Sequence, residues 1–144
     1  VGIRKAGPDD LKMIYEHAHN VRNEAVSGGI SPDEVEPVTP SDIIDGGGYY
    51  LVFDDEQGMK GWIGVGRIIN HKAGWITGII PEVFVFPLYR SQGIGRQLCE
   101  AACRQLKREG CKKVQLNVFK GNHAKELYEK LGFYEVSSLM EKYL

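Results

Sequence analysis

The run Val83-Phe84-Val85-Phe86-Pro87-Leu88-Tyr89-Arg90-Ser91-Gln92-Gly93-Ile94-Gly95 constrains this chain more than any other segment. Four apolar, strand-favouring residues end at a proline, which cannot donate to a ladder and so stops a strand. Gly93 and Gly95 follow, and a helical pattern starts at once. To about Glu109, Ile94, Leu98, Cys99, Ala101, Ala102, Cys103 and Leu106 fill one arc, while Arg96, Gln97, Glu100, Arg104, Lys107 and Arg108 fill the other. Gly110 closes the helix. A buried strand turning tightly into a long amphipathic helix commits the chain to an α/β architecture. The corner is also an anion site, because the first N–H groups of a helix lack partners and the helix dipole favours negative charge there. Glycines let a pyrophosphate approach the backbone, and Arg90 or Arg96 can add charge-assisted bonds. A Walker loop is excluded, since no Gly-Lys-Ser/Thr follows. The dinucleotide fingerprint is excluded too, since Leu98 holds its third glycine position. Alone, the two glycines are equally explained as structural punctuation.

The remaining elements read in order. Ile3–Ala6 is a short strand, and Gly7-Pro8-Asp9-Asp10 starts a helix whose apolar stripe is Leu11, Ile14, Tyr15 and Ala18. Residues 27–48 read as loop, with a short helix at Ser41–Ile44 after Pro40. Tyr49–Phe53 and Lys60–Ile69 form a hairpin across Asp54–Gly58. Gly61, Gly64 and Gly66 in its second strand signal close packing. Trp75–Phe86 is a third strand, in which Pro81 invites a bulge or a splayed edge. Val114, Leu116 and Val118 alternate as a strand. Ala124, Leu127, Tyr128 and Leu131 mark a last helix ended by Gly132, and Phe133–Val136 and Leu139–Tyr143 read as closing strands. The 144 residues are expected to form a single domain with one mixed sheet.

A net charge of −1 excludes a strong overall field for nucleic acid or membrane. Charge is uneven, however. No Lys or Arg occurs from Asn23 to Met59, a stretch with nine acidic residues that include Glu24, Asp33, Asp42, Asp54 and Asp55. Such runs are usually solvated surface, but near a cleft they would favour a small cationic amine. Three cysteines without a signal peptide point to free thiols and a cytoplasmic location. Cys99 and Cys103 read as core packing, since no His has ligand spacing beside them, so no metal is expected. The four histidines read as surface or loop residues. No apolar run approaches the ~20 residues of a membrane span. A homodimer is allowed by the pattern but not required.

Arg90-x-x-Gly93-x-Gly95 after a Val-x-Pro-x-Tyr strand end resembles motif A of the GCN5-related N-acetyltransferase (GNAT) family. Leu127-Tyr128-Glu129-Lys130-Leu131-Gly132-Phe133 resembles the ending of motif B, at the family's spacing. Weaker likeness reaches Ile3–Ala6 and Trp62-Ile63-Gly64. The resemblance implies the GNAT fold: a mixed, mostly antiparallel sheet flanked by helices, with two central parallel strands splayed apart. It implies acetyl-CoA as co-substrate, its pantetheine bonded by the main chain of Val83, Phe84 and Val85. The pyrophosphate would then lie on Arg90, Ser91, Gln92, Gly93, Ile94, Gly95 and Arg96.

The same resemblance implies direct attack by an amine in a ternary complex. Tyr128 would be the general acid toward the leaving thiolate, and Glu82, beside the expected bulge, a base or water relay. The residues alone explain Tyr128 equally well as a core tyrosine and Glu82 as a structural carboxylate. The family's motif B asparagine position holds Gly121 here, so Asn122 is the candidate to bond the pantetheine arm. Asn117 stands where the branch acetylating ribosomal-protein N-termini carries Glu, which speaks against that acceptor class. The rival to an amine acetyltransferase is a non-catalytic acyl-CoA-binding sensor or regulatory module.

Overall fold

The computed structural model describes residues 2–18, 39–118 and 123–144. Its sheet grows from the hairpin of β2 (Tyr49–Asp55) and β3 (Gly58–Asn70), turned by Glu56-Gln57, where Asp55 accepts the Gln57 N–H at 2.8 Å. β1 (Gly2–Lys5) pairs antiparallel with the outer edge of β2. β4 (Trp75–Ile79) and β5 (Val83–Val85) both pair antiparallel with β3. β6 (Cys111–Gln115) joins β4 in parallel. The helices are α1 (Pro8–Glu16), α2 (Pro40–Asp45), α3 (Ile94–Arg108) and α4 (Ala124–Lys130). α2 begins with a capping box: the Asp42 N–H donates to Thr39 Oγ1 at 3.2 Å, and the Thr39 N–H to Asp42 Oδ2 at 2.9 Å.

The third strand expected over Trp75–Phe86 is two strands, because its register slips midway. Gly66 faces Ile79 and Ile63 faces Val83, so Gly64 and Val65 of β3 oppose Ile80, Pro81 and Glu82. One extra residue on one side of an antiparallel pair is a β-bulge, and it bends the strand that carries it. Pro81 fits there because it has no N–H to leave unpaired. The ladder resumes with Gly64 N–H on Glu82 O at 2.8 Å and Phe86 N–H on Lys60 O at 3.0 Å.

Side-chain alternation divides the core between the two faces of the sheet. Leu51, Ile63 and Val65 point to one face, where they pack with Ile94, Leu98, Cys99, Ala102 and Leu106 of α3. Tyr50, Val52, Trp62 and Phe84 point to the other, against Ile14 of α1 and Ile43 of α2. α4 adds Tyr128 and, just after its end, Leu131 to the α3 side.

The C-terminal elements differ from the reading of the sequence. The last paired strand is Cys111–Gln115, not Val114–Val118. No strand forms at Phe133–Val136 or Leu139–Tyr143, where Tyr134, Val136, Leu139, Met140 and Tyr143 are all exposed. Alternation makes a strand only where an edge and an apolar face receive it. The neighbouring edge strand β6 is short and carries Lys112, Lys113 and Gln115, all exposed.

The approach of β5 to β3 depends on Gly61. A Cβ there would stand 2.6 Å from Phe84 O and 3.2 Å from Val85 Cα, both backbone atoms that cannot rotate away. Gly61→Ala is therefore expected to destabilise the fold by about 1–3 kcal/mol, the range for overpacking, read as a lower urea midpoint with unchanged slope.

Candidate active site

The bulge opens a gap. β4 and β6 stay bonded as far as Ile79 opposite Gln115, with Ile80 N–H on Gln115 O at 3.1 Å. Beyond this, no hydrogen bond among the described residues joins residues 81–85 to Leu116–Val118. The alternation of the β3–β5 ladder decides which backbone groups face the gap. Phe84 stands opposite Trp62 in phase with the bonded Gly64–Glu82 and Lys60–Phe86 pairs, so its N–H and C=O turn toward β3. Val83 and Val85 turn the other way. Of the three strand residues singled out from the sequence, these two therefore present main chain to the gap.

Arg90 bears on that main chain. Its Nε–H donates to Val85 O at 2.7 Å, and its guanidinium carbon lies 5.4 Å from the Phe84 ring centre. At least this part of the side chain holds the end of β5. After a single 3₁₀ turn at Pro87–Tyr89, Ser91 and Gly93 take left-handed backbones, φ 63° and 83°. A left-handed serine costs about 1–3 kcal/mol, so the loop is held by its surroundings. Gly93 caps α3 with no side-chain bond, and the first helical bond runs from Gln97 N–H to Gly93 O at 3.1 Å. The amides of Ile94, Gly95 and Arg96 thus precede the helical ladder. Arg96 is tied to Glu100 at 2.8 Å in an exposed pair worth little. Gly95 lies beside Leu127, so α4 crosses the first turn of α3 at this point. What this corner offers an anion is accordingly main-chain N–H groups. Asn122 lies outside the described residues.

Glu82, the last residue of the bulge, turns its carboxylate to the α1–α2 face, beside Ile43 and Tyr50. It accepts a short hydrogen bond from the Tyr50 hydroxyl. Burial pushes its pKa above the ordinary carboxylate range. The Tyr50 bond and the nearby indole of Trp62 partly offset that rise. The indole helps only through proximity, because its fully buried Nε1–H reaches no partner within hydrogen-bond distance among the described residues. Burial and then the Glu82 charge raise the Tyr50 pKa far above that of a free phenol, so the shared proton rests on Tyr50.

Tyr128 lies on the opposite face, packed against the cluster that also takes Val83, Val85 and Leu116. Its ring meets Phe133 edge-on at 5.9 Å, and its hydroxyl has no hydrogen bond among the described residues. Burial first, and Cys99 second, push its pKa up to about 12, so it is neutral at physiological pH. Cys99 is itself buried, and its thiol is pushed up to about 12 by burial, which leaves no thiolate nucleophile. Among the described residues no three His, Cys, Asp or Glu side chains gather to hold a metal.

Other expectations fare differently. His17 is not a plain surface residue: its ring packs 5.1 Å from Phe86 and 6.1 Å from Trp62. Much of the acid-rich stretch lies outside the described residues. Within them, Asp42 caps α2, Asp54 pairs with Arg4 at 2.8 Å and Asp55 with Lys60 at 2.5 Å. Tyr50, the partner of Glu82, drew no notice in the sequence. Its one signal was its place in the Tyr49–Phe53 strand, which says nothing of a residue 32 positions away.

Comparison with known proteins agrees with this geometry. The model of the acetyltransferase (GNAT) family matches residues 15–133. The chain belongs to that family. It is 30% identical over 100 residues to N-alpha-acetyltransferase 30 of Saccharomyces cerevisiae, a match covering 66% of this chain and 56% of the relative. It thus spans little more than half of that protein. A Trypanosoma brucei acetyltransferase superposes with a TM-score of 0.69 at 25% identity, over 99% of this chain and 98% of the other. Glucosamine-6-phosphate N-acetyltransferase of Arabidopsis thaliana shares the fold, with a TM-score of 0.69 at 21% identity over 98% and 96% of the two chains. No helix among the described residues is long and apolar enough to cross a membrane.

The environment of Glu82 has a signed consequence for stability. Its carboxyl binds a proton more tightly in the folded chain than in the unfolded one, so its contribution falls as pH rises from the unfolded value of about 4.3. Glu82→Gln should flatten this decline, seen as a smaller drop in urea midpoint between about pH 4 and pH 7 than in the wild type. Equal slopes would mean that Glu82 titrates as it does in water.

Proposed function

We propose that this chain transfers the acetyl group of acetyl-CoA to an amine, by direct attack in a ternary complex. One observation carries the reading. Beside the gap next to β5, the half-buried carboxylate of Glu82 stands on one face of the sheet and the half-buried neutral phenol of Tyr128 on the other. A thioester lying along Val83 and Val85 would meet an amine from the Glu82 side and lose its thiolate on the Tyr128 side. In this reading Glu82, directly or through water, takes the ammonium proton. An N–H of Val83 or Val85 bonds the carbonyl oxygen as charge develops on it. Tyr128 protonates the departing sulfur. The pyrophosphate takes the amides from Gln92 to Arg96. No step requires a metal.

For the acceptor, the name of the yeast relative favours an α-amino group. A small cationic amine has less support, since the described acidic residues of the Asn23–Met59 stretch named above serve a helix cap and ion pairs. Turnover across peptide N-termini, polyamines and amino sugars separates the two classes, and binding of acetyl-CoA without turnover of any amine would favour a sensor.

Two substitutions test the assignment. Gly93→Glu should abolish acetyl-CoA binding in titration calorimetry, because it places a carboxylate at the pyrophosphate site and a Cβ on a left-handed backbone. Retained affinity in a folded variant would move the site elsewhere. Tyr128→Phe should lower kcat and kcat/KM alike by about 10²–10⁴-fold, with little change in acetyl-CoA affinity. Full activity across the pH range would return Tyr128 to the core.

A further inference from the structure

A second cleft, of about 530 Å³, lies away from the gap, between edge strand β1 and the flank of α3. Ile3, Leu51 and Phe53 contribute its apolar lining, and Lys5, Arg104 and Arg108 its charge. Arg4 also borders it, but its guanidinium is held by Asp10 at 2.6 Å and Asp54 at 2.8 Å. No Asp or Glu lines the cleft. The nearby Glu109 is engaged by Tyr49, Gln105 and Arg67. Neither Arg104 nor Arg108 pairs with a carboxylate among the described residues, and Arg108 donates to Gln105 Oε1 at 2.6 Å.

The rim of this cleft is unpaired backbone. Ala6 N–H bonds Tyr50 O at 3.0 Å, which sets the phase of the β1–β2 ladder: Gly2 and Arg4 bond to β2, while Ile3 and Lys5 turn their amides outward. Lys5 O accepts Arg4 Nη1 at 3.2 Å, leaving the N–H and C=O of Ile3 and the N–H of Lys5 without partners among the described residues. Such an edge is complemented by another main chain.

We propose that an acidic, extended segment of a partner protein docks here, adding a strand to β1 and directing its carboxylates to Lys5, Arg104 and Arg108. Two features argue for a peptide over a small anion. Arg104 and Arg108 are spaced one helical turn apart along the cleft, facing Lys5, so the charge is strung out and not focused. The free edge alternates donor and acceptor, which one phosphate cannot match. The proposal does not depend on the acetyl-transfer reading, because none of these residues borders the gap.

The test uses a fluorescein-labelled peptide of alternating Thr and Glu, a Thr–Lys counterpart and a single-stranded oligonucleotide as probes. By anisotropy the Thr–Glu peptide should bind, the Thr–Lys peptide should not, and binding should weaken with salt. Arg104→Glu with Arg108→Glu should weaken it by about tenfold or more. Ile3→Pro should weaken it as well, since it removes an outward N–H and spares the β1–β2 ladder. Bound peptide should slow hydrogen exchange at the Ile3 and Lys5 amides. The circular dichroism and urea midpoint of the arginine variant should match wild type, which shows that it is folded. No binding of the Thr–Glu peptide overturns the proposal. So does binding that ignores Ile3→Pro and protects neither amide, or an oligonucleotide that competes equally well, because each marks a merely basic surface.

Discussion

The structure depends on one extra residue. Where Ile80, Pro81 and Glu82 oppose two residues of β3, the strand parts from its parallel neighbour while it stays paired with β3. Unpaired backbone inside a protein ordinarily carries a penalty, since each amide or carbonyl left without a partner loses about 1–3 kcal/mol. A gap of this kind persists only if the surrounding core is rigid. The α3 cluster holds one side of β5 through Val83 and Val85, and the aromatic cluster of Trp62, Phe84 and Phe86 holds the other. Arg90 ties the strand end to the loop that follows.

The bulge also places chemistry. It turns Glu82 into the α1–α2 face, where Tyr50 and Trp62 receive it, and leaves Val83 and Val85 directed to the α3 side. A carboxylate and a phenol thereby stand on opposite faces of one sheet with a slot between them. Both have raised pKa values because both are desolvated, but the effects differ in kind. Burial makes the carboxyl hold a proton more tightly and keeps the phenol neutral. The reading as an amine acetyltransferase rests on that division, and membership of the GNAT family agrees with it.

Two anion-favouring features occupy different parts of α3 and work differently. At its N-terminus the amides of a left-handed glycine cap face outward, a compact main-chain site. Along its flank, Arg104 and Arg108 run beside an open strand edge, a linear site. In the proposed function the first would take pyrophosphate, and in the proposed docking the second would take an acidic strand.

Much of this was legible in the sequence because it rests on local rules. Pro81 marked the bulge, Gly93 and Gly95 the tight turn into α3, and the apolar arc of residues 94–106 the face that α3 buries. Tyr128 stood out only through its likeness to a family motif, since its spacing fits a core tyrosine equally well. Other features could not be read from spacing. Tyr50 reaches Glu82 across the sheet, Arg90 turns back to Val85 O, and Phe84 turns its backbone groups to β3 while Val83 and Val85 turn theirs away from it. The closing strands expected after Phe133 show the converse, a favourable pattern that found no edge or face to pack on. Propensity, caps and periodicity act over a few residues, so the sequence by itself determined most of the elements and the tight turn from β5 into α3. Register, burial and the meeting of distant side chains are set by how sheets and helices pack. Only the tertiary structure decided which backbone groups stay free and which carboxylate is desolvated.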